Sequence, residues 1–348
     1  MIRVLVVDDS AVLRQQLRFI LQSDPTLQII GEAKNGEEAV TMARQLRPDV
    51  ITMDIRMPKM DGLEAIRNIM AETPAPIVVV TAADVDAEMN IAAQAQKLGA
   101  VSVVHKPGSM TDPNYKAIAN ALIQKVKVMS QVKVVSRSRA RDMPKSVEVM
   151  PPPRPVPFGR SKTEIIAIGA STGGPAALYR VLGGLPGTCP VPVVIVQHIS
   201  LGFVEGLASW LGGGCKLQVK VAKHGEKLMP GVVYIAPDGS HMVTDTFGRV
   251  RLKDAPPLNG HRPSVTALFQ SVAEAYGPRA IGVILTGMGA DGAPGMKAMK
   301  DAGAMTIAQD EQSCVVFGMP KEAIALGAVR HVVPLDKVAA TVMEFCIL

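Results

Sequence analysis

Short apolar runs, each ending on a residue that can do chemistry, set the frame of this chain. Residues 3–7 (RVLVV) lead into Asp8 and Asp9, residues 49–53 (DVITM) into Asp54, and residues 101–105 (VSVVH) into Lys106. Runs of this length bounded by Gly, Pro and Asp read as strands buried on both faces of a parallel sheet. Two more fall near 27–30 and 77–80. Between them, Leu13, Leu17, Ile20 and Leu21, and later Ile118, Leu122, Ile123 and Val126, recur at helical spacing. The pattern predicts an α/β domain with a five-stranded doubly wound sheet of order 2-1-3-4-5. Ligands of such sheets bind beyond the carboxyl ends of the strands. Asp8, Asp9, Asp54 and Lys106 therefore converge on one crevice. Clustered carboxylates repel unless a cation joins them, and a few hard oxygens suit Mg²⁺. With a lysine beside them, the crevice is built to hold a phosphoryl group.

The segments VVDDS (6–10), MDIRMPKMDG (53–62), Thr81-Ala82 and His105-Lys106-Pro107 occur in an order that resembles the receiver domain of two-component response regulators. The resemblance implies a flavodoxin-like domain over residues 1–123 with Asp54 as phosphoacceptor. It implies Mg²⁺ held by Asp8, Asp9, Asp54 and the backbone carbonyl of Arg56, with Thr81 and Lys106 binding the phosphoryl oxygens. Many receivers carry an aromatic residue three places before that lysine. Here the place is Val103, so signalling by an aromatic flip is not expected.

At 348 residues the chain is long enough for two domains with full cores. No apolar run reaches bilayer length, and no signal segment precedes the first strand. Membrane insertion is not expected. Cys189, Cys215, Cys314 and Cys346 lack CxxC spacing, which predicts reduced thiols in a cytoplasmic protein, read as small buried hydrophobes. The net charge is +6, and its location decides its meaning. Residues 125–162 hold ten Lys or Arg against Asp142 and Glu148, a surplus of eight, so the remainder carries −2. The basic stretch includes MPPPRPVPFG. It reads as a solvated, Pro-rich linker over residues 124–162 rather than a binding domain.

Residues 163–348 return to an α/β pattern. Strand candidates are 164–170, 191–199, 232–237, 280–288 and 304–310, predicting a second doubly wound domain. The sharpest feature is Gly169-Ala170-Ser171-Thr172-Gly173, which fits the G-x-S-x-G nucleophile pattern, with Pro175 suited to a first helical turn. A helix N-terminus there offers N–H groups to a developing oxyanion. A phosphate cradle or a plain tight turn are the competing readings. The absence of G-x-G-x-x-G and of a P-loop lysine weakens the cofactor reading. A serine nucleophile needs a base and an orienting carboxylate. His198 ends the next apolar strand and Asp291 follows another, so both can reach Ser171. His224, His241 and His261 remain rivals for the base. The order Ser…His…Asp differs from the Ser…Asp…His of α/β-hydrolases.

GASTGGP (169–175), VIVQHI (194–199), YIAPDGSHM (234–242), GHRPSV (260–265), LTGMGADGA (285–293) and FGMPKEAI (317–324) together resemble the catalytic domain of the chemotaxis protein-glutamate methylesterases, the CheB family. The resemblance covers about residues 163–345, and with the receiver in front it spans nearly the whole chain. It implies Ser171 as nucleophile, His198 as general base and Asp291 as orienter, with Thr172 and the Met288 N–H serving the oxyanion. It implies hydrolysis of glutamyl methyl esters on methyl-accepting chemoreceptors, release of methanol, and deamidation of receptor glutamines. It implies phosphorylation by a chemotaxis histidine kinase and no cofactor in the catalytic domain; a phosphoacceptor site tethered by a linker to a separate catalytic centre leads to the expectation that the unphosphorylated receiver blocks the cleft. Nothing in the sequence demands more than a monomer. The family usually has an acid after RPSV, where this chain has Thr266.

Two readings from other classes compete. A receiver-controlled nucleic-acid regulator rests on the basic linker alone, and no helix-turn-helix follows residue 160. An esterase of small metabolites shares the serine chemistry and differs only in substrate.

Overall fold

The computed structural model describes residues 1–81, 102–108, 115–132, 163–199 and 201–347. The basic linker falls almost wholly outside them, as does the side chain of Val103. The chain divides into two compact units, Met1–Gly159 and Arg160–Leu348.

In the first unit, strands β1 (Ile2–Val7), β2 (Leu27–Ala33), β3 (Val50–Met53), β4 (Ile77–Thr81) and β5 (Ser102–His105) form a parallel sheet of order β2-β1-β3-β4-β5. This is the order expected from the sequence. The strands are continuous apolar runs because both faces are covered: every residue of β3 and β4 is buried. Helices α1 (Ala11–Gln22), α2 (Gly36–Leu46) and α3 (Gly62–Glu72) start at the side-chain caps Ser10, Asn35 and Asp61, whose oxygens accept the N–H groups of Leu13, Glu38 and Glu64. The α1 spacing is met by buried Leu17, Ile20 and Leu21. Helix α4 (Tyr115–Met129) carries on past residue 123, because its apolar face continues through buried Val126 and Met129.

The second unit holds a seven-stranded parallel sheet. Its strands are β6 (Ile165–Ala170), β7 (Val193–Gln197), β8 (Gln218–Val221), β9 (Val232–Ile235), β12 (Ala280–Ile284), β13 (Met305–Gln309) and β14 (His331–Val333), in the order β14-β13-β12-β6-β7-β9-β8. The chain winds outward from β6 in one direction and from β12 in the other. The switch point, and hence the expected crevice, lies between these two strands. An antiparallel hairpin, β10 (His241–Thr244) with β11 (Val250–Lys253), packs its first strand on helix α7 (Val265–Tyr276). Neither the hairpin nor β8 or β14 figured among the sequence candidates. They are only three or four residues long, and β8 is at best half-buried. The core behind the switch point comprises Ile165, Ala167, Val194, Phe269, Val272 and Met296 among others, each large side chain contributing about 1.5–3 kcal/mol by burial. All four cysteines are free. No described helix is long and apolar enough to cross a membrane.

Candidate active site

Ser171 stands one residue beyond β6, and His198 one residue beyond β7. The last paired residues of these strands are Ala170 and Gln197, and the His198 N–H still donates to the Ala170 carbonyl at 3.0 Å. The two functional residues therefore sit side by side at neighbouring strand ends. Ser171 donates its N–H to Thr286 O (3.1 Å), tying it to the segment after β12. Gly173, at φ 77°, then turns the chain into helix α5 (Gly174–Gly184), with Pro175 in the first turn. Only 7% of Ser171 is exposed.

The segment after β12 supplies Asp291, which is 2% exposed. Its carboxylate accepts four donors: His198 Nε2 at 2.9 Å, Ser264 Oγ at 2.8 Å, and the Val265 and Thr266 N–H groups at 2.7 and 3.1 Å. The last two belong to the first turn of α7, so the positive end of that helix faces the charge. Burial pushes the Asp291 carboxyl up, but the His198 bond, the His198 charge and the neighbouring hydroxyls outweigh it and hold it well below the ordinary carboxylate range. Asp291 is thus ionised and can only accept. The nitrogen that faces it, His198 Nε2, is therefore the donor of this bond. Nδ1 is buried and has no hydrogen-bond partner among the described residues. The imidazole–carboxylate link expected from the sequence is formed, whereas the serine–imidazole link is not closed in this structure. Catalytic contacts of this kind often tighten only with substrate bound.

Met288 is 42% exposed and follows Gly287, whose Cα lies against Ser171: a Cβ there would meet Ser171 Cβ at 2.8 Å and Ser171 N at 3.1 Å. Thr172 is buried, and its carbonyl accepts the Thr286 hydroxyl at 3.0 Å.

The rival histidines have other places. His224 Nδ1 accepts the Leu252 N–H at 3.2 Å. His241 is buried, accepts the Ser264 N–H on Nδ1 (3.2 Å) and faces Pro256 O with Nε2 (3.0 Å), so it braces the loop that caps Asp291. His261 stacks on the ring of His198. Thr266, the departure from the family pattern, is buried, and its Oγ1 accepts the Gly292 N–H at 2.8 Å. It locks the turn that carries Asp291.

Sequence reasoning missed Gln197. Its buried amide Nε2 donates to both Ser171 O and His198 O, each at 2.8 Å. One side chain thus clamps the two strand ends that carry the hydroxyl and the imidazole. A polar residue closing an otherwise apolar strand was the available signal.

In the first unit, Asp8, Asp9 and Asp54 each offer a carboxylate oxygen within 4.8 Å of the others. Lys106 Nζ lies 2.8 Å from Asp54 Oδ2 and 2.9 Å from Asp8 Oδ2. Asp8 Oδ2 is buried and, despite that charge contact, lacks a well-directed hydrogen bond, which suits a place for a cation. Burial pushes the Asp54 carboxyl above its usual range; Lys106 opposes this and Asp8 adds to it. Burial alone would lower the Lys106 ammonium, but Asp54 and Asp8 outweigh it and hold it above its usual value. Thr81 ends β4 and accepts the Lys106 N–H on its carbonyl at 2.7 Å. Arg56 is exposed in the turn after β3.

The class these two units define is a carboxylic ester hydrolase that carries a response-regulator receiver. The CheB methylesterase family model matches residues 166–342 and the response regulator receiver domain model residues 4–113. The chain belongs to the CheB methylesterase family. It is 46% identical over 348 residues to protein-glutamate methylesterase/protein-glutamine glutaminase 1 of Syntrophus aciditrophicus (strain SB), covering 99% of this chain and 98% of that protein. It is also 46% identical over 339 residues to protein-glutamate methylesterase/protein-glutamine glutaminase 4 of Myxococcus xanthus (strain DK1622), covering 97% and 95%. The crystal structure of the Thermotoga maritima CheB methylesterase catalytic domain is similar to 53% of this chain and 99% of that chain, with 40% identity and a TM-score of 0.52.

Proposed function

We propose that this chain is a cytoplasmic, monomeric protein-glutamate methylesterase of chemotaxis, switched on by phosphorylation of Asp54. The observation that carries the reading is the place of His198: it follows β7 where Ser171 follows the paired strand β6, and its Nε2 lies 2.9 Å from Asp291 Oδ2. Ser171 Oγ attacks the carbonyl of a glutamyl methyl ester on a chemoreceptor while Nδ1 takes the hydroxyl proton. The oxyanion falls to the Met288 N–H and Thr172, a donor of this kind contributing about 3 kcal/mol. The tetrahedral adduct collapses, and His198 returns the proton to the departing methoxide, which leaves as methanol. Water, deprotonated by the same Nδ1, then attacks the acyl-serine ester and restores Ser171 and a free glutamate. With a glutamine substrate the leaving group is ammonia, which gives the glutaminase activity named for the relatives.

Residues 1–123 act as the receiver, 124–162 as linker and 163–348 as the catalytic domain. Asp8, Asp9, Asp54 and the Arg56 carbonyl fit Mg²⁺, which supplies charge neutralisation for phosphoryl transfer to Asp54. Lys106 Nζ, already 2.8 Å from the Asp54 carboxylate, pairs with the new phosphoryl oxygens, and Thr81 donates its hydroxyl to them. The phospho-donor is a chemotaxis histidine kinase. Coupling of about 1–3 kcal/mol between the sites corresponds to roughly 5–150-fold in turnover. Methanol release from methylated chemoreceptor membranes, measured with and without a small phospho-donor and Mg²⁺, tests this. Stimulation of the native chain but not of Asp54→Asn is expected; equal stimulation of both contradicts the reading.

A further inference from the structure

Among the described residues, the ring of His198 is held by one hydrogen bond, from Nε2 to Asp291, and Nδ1 has no hydrogen-bond partner. A single bond of this kind leaves the imidazole plane free to rock about the line to the carboxylate, which swings Nδ1 away from a fixed target. What stops it is a second ring. The His261 imidazole lies face to face on that of His198, with centroids 4.0 Å apart and planes within 3°.

His261 reaches this position from the loop before α7. Its backbone N–H and carbonyl exchange hydrogen bonds with Leu258, both at 3.0 Å. The turn is thus closed by main-chain groups. The opposite side of the histidine is also fixed, since its carbonyl accepts the Gln197 amide. Backbone, ring edge and ring face are each restrained by a different segment of the chain.

We propose that His261 is a positioning residue for the general base. Its ring sets the plane of the His198 imidazole so that Nδ1 stays aimed at the Ser171 hydroxyl through both proton transfers. The inference rests on the reading of His198 as the base.

Three variants of the full chain test it: His261→Leu, which keeps bulk without a flat face, His261→Phe, which keeps the face without nitrogens, and His198→Gln. The readouts are kcat and KM for methanol release from methylated receptor, the rate of covalent labelling of Ser171 by a fluorophosphonate, and the thermal unfolding temperature. For His261→Leu we expect kcat and labelling to fall together about ten- to a hundredfold, with KM within about twofold, as for a misaimed group. His261→Phe should recover to within about threefold of the native chain. A native kcat in His261→Leu overturns the inference. So does a Phe variant as impaired as the Leu variant at an unchanged unfolding temperature, since the imidazole nitrogens would then be what is needed. If His198→Gln retains native turnover, the base reading itself fails; if it is inactive while His261→Leu is not, only the present inference falls.

Discussion

His198 Nε2 stands 2.9 Å from Asp291 Oδ2, with the carboxylate held under the N-terminus of α7. In the template triad it is Nδ1 that faces the carboxylate; here it is Nε2, so the proposed mechanism assigns the base to Nδ1.

Replacing Asp291 by Asn removes the anion that selects this tautomer. Turnover should fall by about 10³-fold or more, as when a triad carboxylate is lost, with little change in KM. Steady-state methanol release checks this, and a loss under tenfold would show that Asp291 does not orient the base.

Gln197→Leu deletes the clamp: Ser171 O keeps the Gly174 N–H at 2.8 Å, while His198 O loses the donor it accepts from Gln197 Nε2. Each buried polar group left unpaired costs about 1–3 kcal/mol. We expect a lower unfolding temperature together with a kcat loss of about tenfold or more, read by calorimetry and turnover on the same preparation.

Gly287→Ala places a methyl group 2.8 Å from Ser171 Cβ. The Met319 sulfur nearby is the flexible part of that contact and can move, but the Ser171 backbone N cannot. Displacement of the nucleophile should lower kcat by about a hundredfold while the chain stays folded by circular dichroism.

In the receiver, Asp54 is an acid whose folded pKa lies above its ordinary value. Its ionised form is tolerated less well in the fold than in the unfolded chain. Stability is therefore lost as pH rises from the unfolded value near ~3.9 through the folded one. Asp54→Asn should unfold at a higher temperature than the native chain at pH 7, and the two should converge below about pH 4. A thermal scan across pH checks both halves of the statement.

Mg²⁺ should offset the repulsion among Asp8, Asp9 and Asp54. At ten times its Kd the ion stabilises the folded state by about 1.4 kcal/mol. The shift should vanish in Asp9→Asn, where an exposed carboxylate is removed without disturbing the buried Lys106 pairs.

Much of this architecture was legible in the sequence for a physical reason. Strands buried on both faces leave continuous apolar runs, and in a parallel sheet the residue after each run points to the crevice. That logic placed Asp8, Asp54, Lys106, Ser171 and His198 just past strand ends, where the structure has them. It failed at the sheet margins, where β8 alternates Gln218 and Lys220 with Val219 and Val221 and carries no buried run. It failed also for Gln197, Ser264 and His241. Their roles are hydrogen bonds between segments far apart in the chain, such as Ser264 to Asp291, and no periodicity encodes them. Among four histidines, sequence could rank but not decide; the strand register puts His198 beside Ser171, and the Asp291 carboxylate meets its ring.

The most direct measurement is methanol release from methyl-labelled chemoreceptor membranes by the native chain, Ser171→Ala and His198→Gln in parallel. The account predicts turnover by the native chain and loss of at least about 10³-fold in each variant. Native-like release from Ser171→Ala would contradict it.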